Sequence, residues 1–200
     1  MQIVKSDEEG LEAAAKVLLA GGVAVIPTDT VYGLAAHPDF PEAVDRLYTI
    51  KGREQKKPIA LLASDVVVVE RAGYQITGKA CELVKHWPGG LTLILAKSTL
   101  NSQLSTLNSA EGFRVPDHDW TRRLLAKCGG LLRVTSANLS GQRAATDAPA
   151  ALADVGLSAD IVVDDGISPI LMYSTCCFRC SMTDVSRIPR EGPWTLRIRS

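Results

Sequence analysis

Two hundred residues and 21.4 kDa fit one domain, or at most two small ones, and 46% hydrophobic against 22% charged residues is enough to build a core. The 22 basic and 22 acidic side chains cancel, which argues against a global attraction to nucleic acid or anionic membrane, so an anion site has to be a local cluster. No apolar run approaches the ~20 residues of a membrane helix, no secretory signal opens the chain, and an odd count of five cysteines predicts reduced thiols in the cytoplasm.

Ser6 and Glu9 have capping-box spacing, and Leu11, Ala14, Ala15, Leu18 and Leu19 then recur at helical spacing until Gly21-Gly22. Val23-Ala24-Val25-Ile26 reads as a buried strand over 23–27 that delivers Thr28, Asp29, Thr30 and Tyr32 into a turn set by Pro27 and Gly33. Pro41 opens a second helix with Val44, Leu47, Tyr48 and Lys51 along one side. A strand is expected at 59–63 and short helices over 65–72 and 77–86. Trp87-Pro88-Gly89-Gly90 then breaks the chain before strands at 91–96 and 112–116. Asp117 is placed to cap a helix to about Lys127, and a strand over 131–135 runs into Ser136-Ala137-Asn138-Leu139-Ser140-Gly141. Thr146 can cap a helix to about Asp154, and 161–164 reads as a late strand. Strands interleaved with helices argue for a single α/β domain over 1–200 with a mixed sheet.

Three groupings can carry chemistry. Hydroxyls, a carboxylate and a phenol at 28–32 stand at the end of a strand, where open α/β sheets place ligands. The competing reading is a polar turn with Thr28 or Asp29 capping a backbone group. Lys51, Arg53, Lys56 and Lys57, with Arg46 one helical turn earlier, form a basic cluster in a neutral chain. They suit a phosphate or carboxylate, or else a solvated helix end. Residues 135–141 put small hydroxyls and an amide at a second strand end, able to bind phosphate or ribose oxygens or to form an ordinary turn. Arg114 sits beside a helix start, where it either supports an anion or pairs with Asp117. Neither a Gly-x4-Gly-Lys-Ser/Thr loop nor Gly-x-Gly-x-x-Gly occurs, so a nucleotide would be held by another route. Cys176, Cys177 and Cys180 lack the second ligand pair of a structural zinc site.

Together these residues resemble the YrdC-like threonylcarbamoyl-AMP synthase family from Gly22 to about Asp165. The resemblance rests on Pro-Thr-x-Thr-x-Tyr-Gly-Leu at 27–34, Lys-x-Arg at 51–53, Trp-Pro-Gly-x-Leu-Thr at 87–92, Arg-Val-Pro-Asp-His at 114–118 and Ser-Ala-Asn-Leu-Ser-Gly at 136–141. It implies a twisted, mostly mixed sheet with flanking helices and an open concave active-site face, in a stand-alone single-domain form. It also implies a nucleotidyltransferase that makes threonylcarbamoyl-AMP and pyrophosphate from L-threonine, bicarbonate or CO2, and ATP. The product feeds threonylcarbamoyladenosine modification of tRNA through a separate transferase complex.

By the same resemblance Thr28, Thr30, Tyr32, Arg114 and Ser181 bind threonine, and Lys51 and Arg53 are catalytic and hold phosphates. Ser136, Asn138, Ser140 and Arg190 contact the nucleotide. Mg2+ is expected with ATP; its ligands are unknown, with Asp29 a candidate. The segment 170–192 departs from the family pattern: Cys180 and Met182 replace the usual residues, while Ser181, Asp184 and Arg190 keep equivalent places. An alternative from a different class is a non-catalytic nucleotide- or RNA-binding member of the same fold. Its RNA contacts have little support from 5% aromatic residues and zero net charge. A carbamoyl-adenylating module acting on another acceptor is a third option.

Overall fold

The computed structural model describes residues 1–52, 54, 58–97, 110–169, 177–180 and 185–188. The calls on Arg53, Ser181 and Arg190 lie outside these residues. Among the described residues ten strands form a single sheet: β1 (Gln2–Lys5), β2 (Val23–Ile26), β3 (Gly33–Ala36), β4 (Leu61–Ala63), β5 (Thr92–Ala96), β6 (Ala110–Arg114), β7 (Leu131–Ser136), β8 (Ile161–Asp164), β9 (Cys177–Cys180) and β10 (Val185–Ile188). Their order across the sheet is β1-β8-β2-β3-β7-β4-β6-β5-β9-β10. Pairings β1–β8, β2–β8, β4–β6 and β5–β9 are parallel and the rest antiparallel, as a mixed sheet requires.

Strand alternation sorts the core. On β2, Ala24 and Ile26 face α1 (Glu8–Leu19) and α5 (Asp119–Lys127) through Leu11, Leu18, Leu124 and Leu125. Val23 and Val25 face the opposite way, onto α2 (Pro41–Lys51) and α6 (Ala148–Asp154). A third cluster packs Leu61, Leu93, Leu95 and Phe113 of the central strands against Val69 of α3 (Val66–Arg71) and Ala80 of α4 (Ala80–Leu83). Helices therefore cover both faces, and the loops at the strand ends are left to build a site.

Several elements fall where the periodicity places them: α2 begins at Pro41 and stops at Gly52, which takes the left-handed φ of 58° that glycine tolerates. The caps shift by one residue. Asp7, not Ser6, caps α1 by accepting from Gly10 N at 2.8 Å, and Asp147, not Thr146, caps α6. His118, not Asp117, caps α5. Gly33 lacks the positive φ of a turn residue. It is needed because a Cβ there would stand 2.5 Å from Val134 Cγ1 of the neighbouring β7. Strands β1 and β3 have no counterpart in the sequence reading; β3 makes 27–32 the connection of an antiparallel pair, with Ile26 opposite Gly33.

Candidate active site

The loop 27–32 is buried, although most of its side chains are polar. Thr28 is 4% exposed, Asp29 1% and Thr30 9%. Thr28 organises the turn locally. Its hydroxyl donates to Val31 O at 2.6 Å and accepts from Thr30 N and Val31 N at 3.2 and 3.3 Å. The Thr28 and Thr30 hydroxyls stand 3.2 Å apart.

Arg114, at the end of β6, closes one corner of the site. Its Nη1 and Nη2 each donate to Thr30 Oγ1 at 3.1 Å, Nη2 also donates to Asp29 Oδ1, and Nε donates to Gly89 O at 2.9 Å. The pairing with Asp117 weighed from local sequence is replaced by a buried pair with Asp29, 85 residues away. The register decides this: Arg114 sits opposite Leu62 of β4, on the face shared with α5, where loop 27–32 passes. Asp29 Oδ2 is buried without a hydrogen-bond partner.

Lys51 closes the other corner from the last turn of α2. It is 3% exposed, and its Nζ donates to Ser136 O, to Asn138 O at 2.6 Å, and to Asn138 Oδ1 at 3.3 Å. Asn138 is fixed in turn by Nδ2 bonds to Leu139 O and Gln142 O, both 2.8 Å. Ser140 N donates to Lys51 O at 2.9 Å, and Ala137 N donates to Tyr32 O at 2.8 Å. Arg46 does not join this corner; it pairs with Asp160 at 2.8 Å.

Tyr32 is fully buried, and its phenol faces the turn after β8 rather than the threonine hydroxyls. It donates to Gly166 O at 2.8 Å and accepts from Asp165 N at 2.9 Å. Burial pushes its pKa up to about 12, so it stays protonated at physiological pH. The structure thus gives Tyr32 the job of anchoring the loop that carries Thr28 and Thr30. Sequence reasoning also passed over Thr121, whose hydroxyl donates to Pro27 O at 2.7 Å, and the pairing of Asp165 with His118 at 3.0 Å. No local signal marks these, because each partner is supplied by a distant element.

Hydrogen bonds thus link the five motif segments into one surface: 114 to 29, 30 and 89, 51 to 136 and 138, and 137 to 32. A family model described as telomere recombination, covering Sua5, YciO and YrdC proteins, matches residues 16–192. The chain belongs to the Sua5/YciO/YrdC family. It is 34% identical over 186 residues to a putative threonylcarbamoyl-AMP synthase of Mycobacterium leprae, covering 92% of this chain and 83% of that one. It is 39% identical over 135 residues to a threonylcarbamoyl-AMP synthase of Bos taurus, covering 67% of this chain and 49% of the relative. The chain spans about half the length of that relative and of the mouse and rat proteins it matches similarly. Among solved structures, P. abyssi Sua5 complexed with L-threonine superposes with a TM-score of 0.78 at 27% identity, covering 90% of this chain and 54% of that one. E. coli YciO, at 21% identity and a TM-score of 0.74, shares the fold over 94% of this chain and 93% of its own.

Among the described residues, no group of three or more His, Cys, Asp or Glu gathers to hold a metal ion. Asp29 has one oxygen engaged by a guanidinium, which disfavours a cation beside it. Its second oxygen has no hydrogen-bond partner among the described residues. Among them, no helix is long and apolar enough to cross a membrane.

Proposed function

We propose that this chain is a threonylcarbamoyl-AMP synthase, a nucleotidyltransferase acting on L-threonine, bicarbonate or CO2, and ATP. The observation that carries the reading is the pair of buried cations, Arg114 and Lys51, each fixed against a hydroxyl- or amide-bearing loop. Such a surface suits a reaction that needs polyanion positioning rather than a protein nucleophile. The threonine amine adds to CO2 and loses a proton to give a carbamate. A carbamate oxygen then attacks the α-phosphorus of ATP, forming the mixed anhydride as the bond to the β-phosphate breaks and pyrophosphate leaves.

In this reading Thr28, Thr30 and Arg114 serve the amino acid, with Tyr32 holding their loop. Ser136, Asn138 and Ser140 serve the nucleotide, and Lys51 stands at the border between the two. Arg53, Ser181 and Arg190 are assigned to the same site by sequence pattern. Mg2+ enters with the phosphates of ATP as part of that substrate. The activated product would pass to a separate tRNA threonylcarbamoyl transferase complex in the cytoplasm.

Pyrophosphate release from ATP and bicarbonate, with and without L-threonine and with serine and glycine as controls, tests the reading. Threonine-dependent release with an adenylate product is expected. ATP binding without release in the presence of threonine would overturn it in favour of a non-catalytic nucleotide binder.

A further inference from the structure

Loop 27–32 is fastened at both ends, and the two fastenings meet at His118. At its start, Thr121 Oγ1 donates to Pro27 O at 2.7 Å. At its end, the Tyr32 phenol is held by Asp165 N at 2.9 Å and Gly166 O at 2.8 Å. Between them, His118 Nδ1 accepts from Thr121 N at 3.3 Å while Nε2 lies 3.0 Å from Asp165 Oδ2. Thr121 Oγ1 also lies 3.1 Å from Nδ1, so the imidazole bridges the Thr121 end and the Asp165 carboxylate through its two ring nitrogens. The other carboxylate oxygen of Asp165 accepts from Ser6 Oγ at the start of α1. Asp165 is thereby gripped by side chains preceding two helices while its own amide grips Tyr32. None of these bonds touches Thr28, Thr30, Lys51, Arg114, Ser136 or Asn138.

We propose that His118 and Asp165 are positioning residues, a latch that holds both ends of loop 27–32 and so sets the amino-acid side of the site. The inference rests on the synthase reading. Thr30 meets the Arg114 guanidinium through bonds of 3.1 Å, so a displaced loop end misaligns the two groups assigned to the substrate amino acid. Misplacement by about 1 Å can lower a rate ~10²-fold. The latch also accounts for a histidine as the cap of α5. A shorter capping side chain satisfies Thr121 N but does not reach across to Asp165.

That difference supplies the test. His118→Asn keeps a good helix cap and removes the reach to Asp165, and Asp165→Ala removes the partner. Both are expected to lower kcat/KM for L-threonine by about 10–100-fold while KM for ATP stays within about twofold. Asp165→Asn retains an oxygen that accepts from Nε2 and should restore most of the activity. The double variant His118→Asn/Asp165→Ala should be no worse than either single one, because the latch fails as a unit. Amide hydrogen exchange at 28–32 should quicken in His118→Asn and Asp165→Ala, a readout independent of turnover. Unchanged exchange in both variants, or losses that multiply in the double variant, overturns the latch. Absence of threonine-dependent turnover in the unaltered chain overturns the synthase reading instead, and the exchange measurement still decides the latch.

Discussion

Arg114 and Lys51, the two candidate-site cations among the described residues, are almost equally buried, yet they are held by different chemistry. Arg114 is answered by a carboxylate, Asp29, and also bonds a threonine hydroxyl and a backbone carbonyl. Lys51 donates to the carbonyl oxygens of Ser136 and Asn138 and to the Asn138 amide oxygen. Removing Arg114 leaves a buried charge behind, whereas the oxygens that Lys51 bonds among the described residues are neutral. Burial alone therefore does not rank the two residues; the charge state of the partner does. The arginine corner is bound up with stability, and the lysine corner separates function from folding more cleanly.

Arg114→Ala probes the first half of that comparison and carries the largest expected effect, a loss of about 3–5 kcal/mol in denaturant unfolding. The double variant Arg114→Ala/Asp29→Ala should recover part of it, since the stranded carboxylate is gone. A double variant as unstable as the single one would show that packing, not charge, holds the corner. Lys51→Met should lower threonine-dependent pyrophosphate release on the order of 10²–10³-fold, as for loss of a group that stabilises transition-state charge. Its unfolding cost should be smaller than that of Arg114→Ala, about 1–3 kcal/mol. Near-normal turnover in Lys51→Met would break the assignment of Lys51, and the same measurement on Arg53→Ala tests the neighbouring cation.

Gly33→Ala lies between the two corners and forces a Cβ to 2.5 Å from Val134 Cγ1. A loss of about 1–3 kcal/mol is expected, with relief in Gly33→Ala/Val134→Ala. The exposed Arg46–Asp160 pair is the control for both buried corners. Its guanidinium holds the Asp160 carboxyl below the usual value of 3.8, so its contribution is present above that value and is lost as pH falls further. With both side chains 42% exposed, solvent screening limits it to about 1 kcal/mol or less, which comparison of Asp160→Asn with the unaltered chain at pH 7 and pH 3 should resolve.

Much of the fold was written locally. The run 161–164, the Pro41 start and Gly52 stop of α2, and the polar turn after 23–26 follow from hydrophobic period and backbone chemistry, which need no distant partner. The motif segments of the site were legible for the same reason: each is a short run of residues with donors or cations at fixed spacing. Edge strand β1 escaped because its exposed, short sequence has no buried face to give it a period, and it exists through pairing with β8, 159 residues on.

The chain by itself determined which residues could bind anions, because side-chain chemistry and strand-end position are local properties. Tertiary structure decided which of them meet. It set Arg114 on Asp29 instead of Asp117, bonded the Tyr32 phenol to Asp165 and Gly166, and joined His118 to Asp165. Those choices follow from sheet order and register, which bring together groups 47 to 134 residues apart that no periodicity can pair.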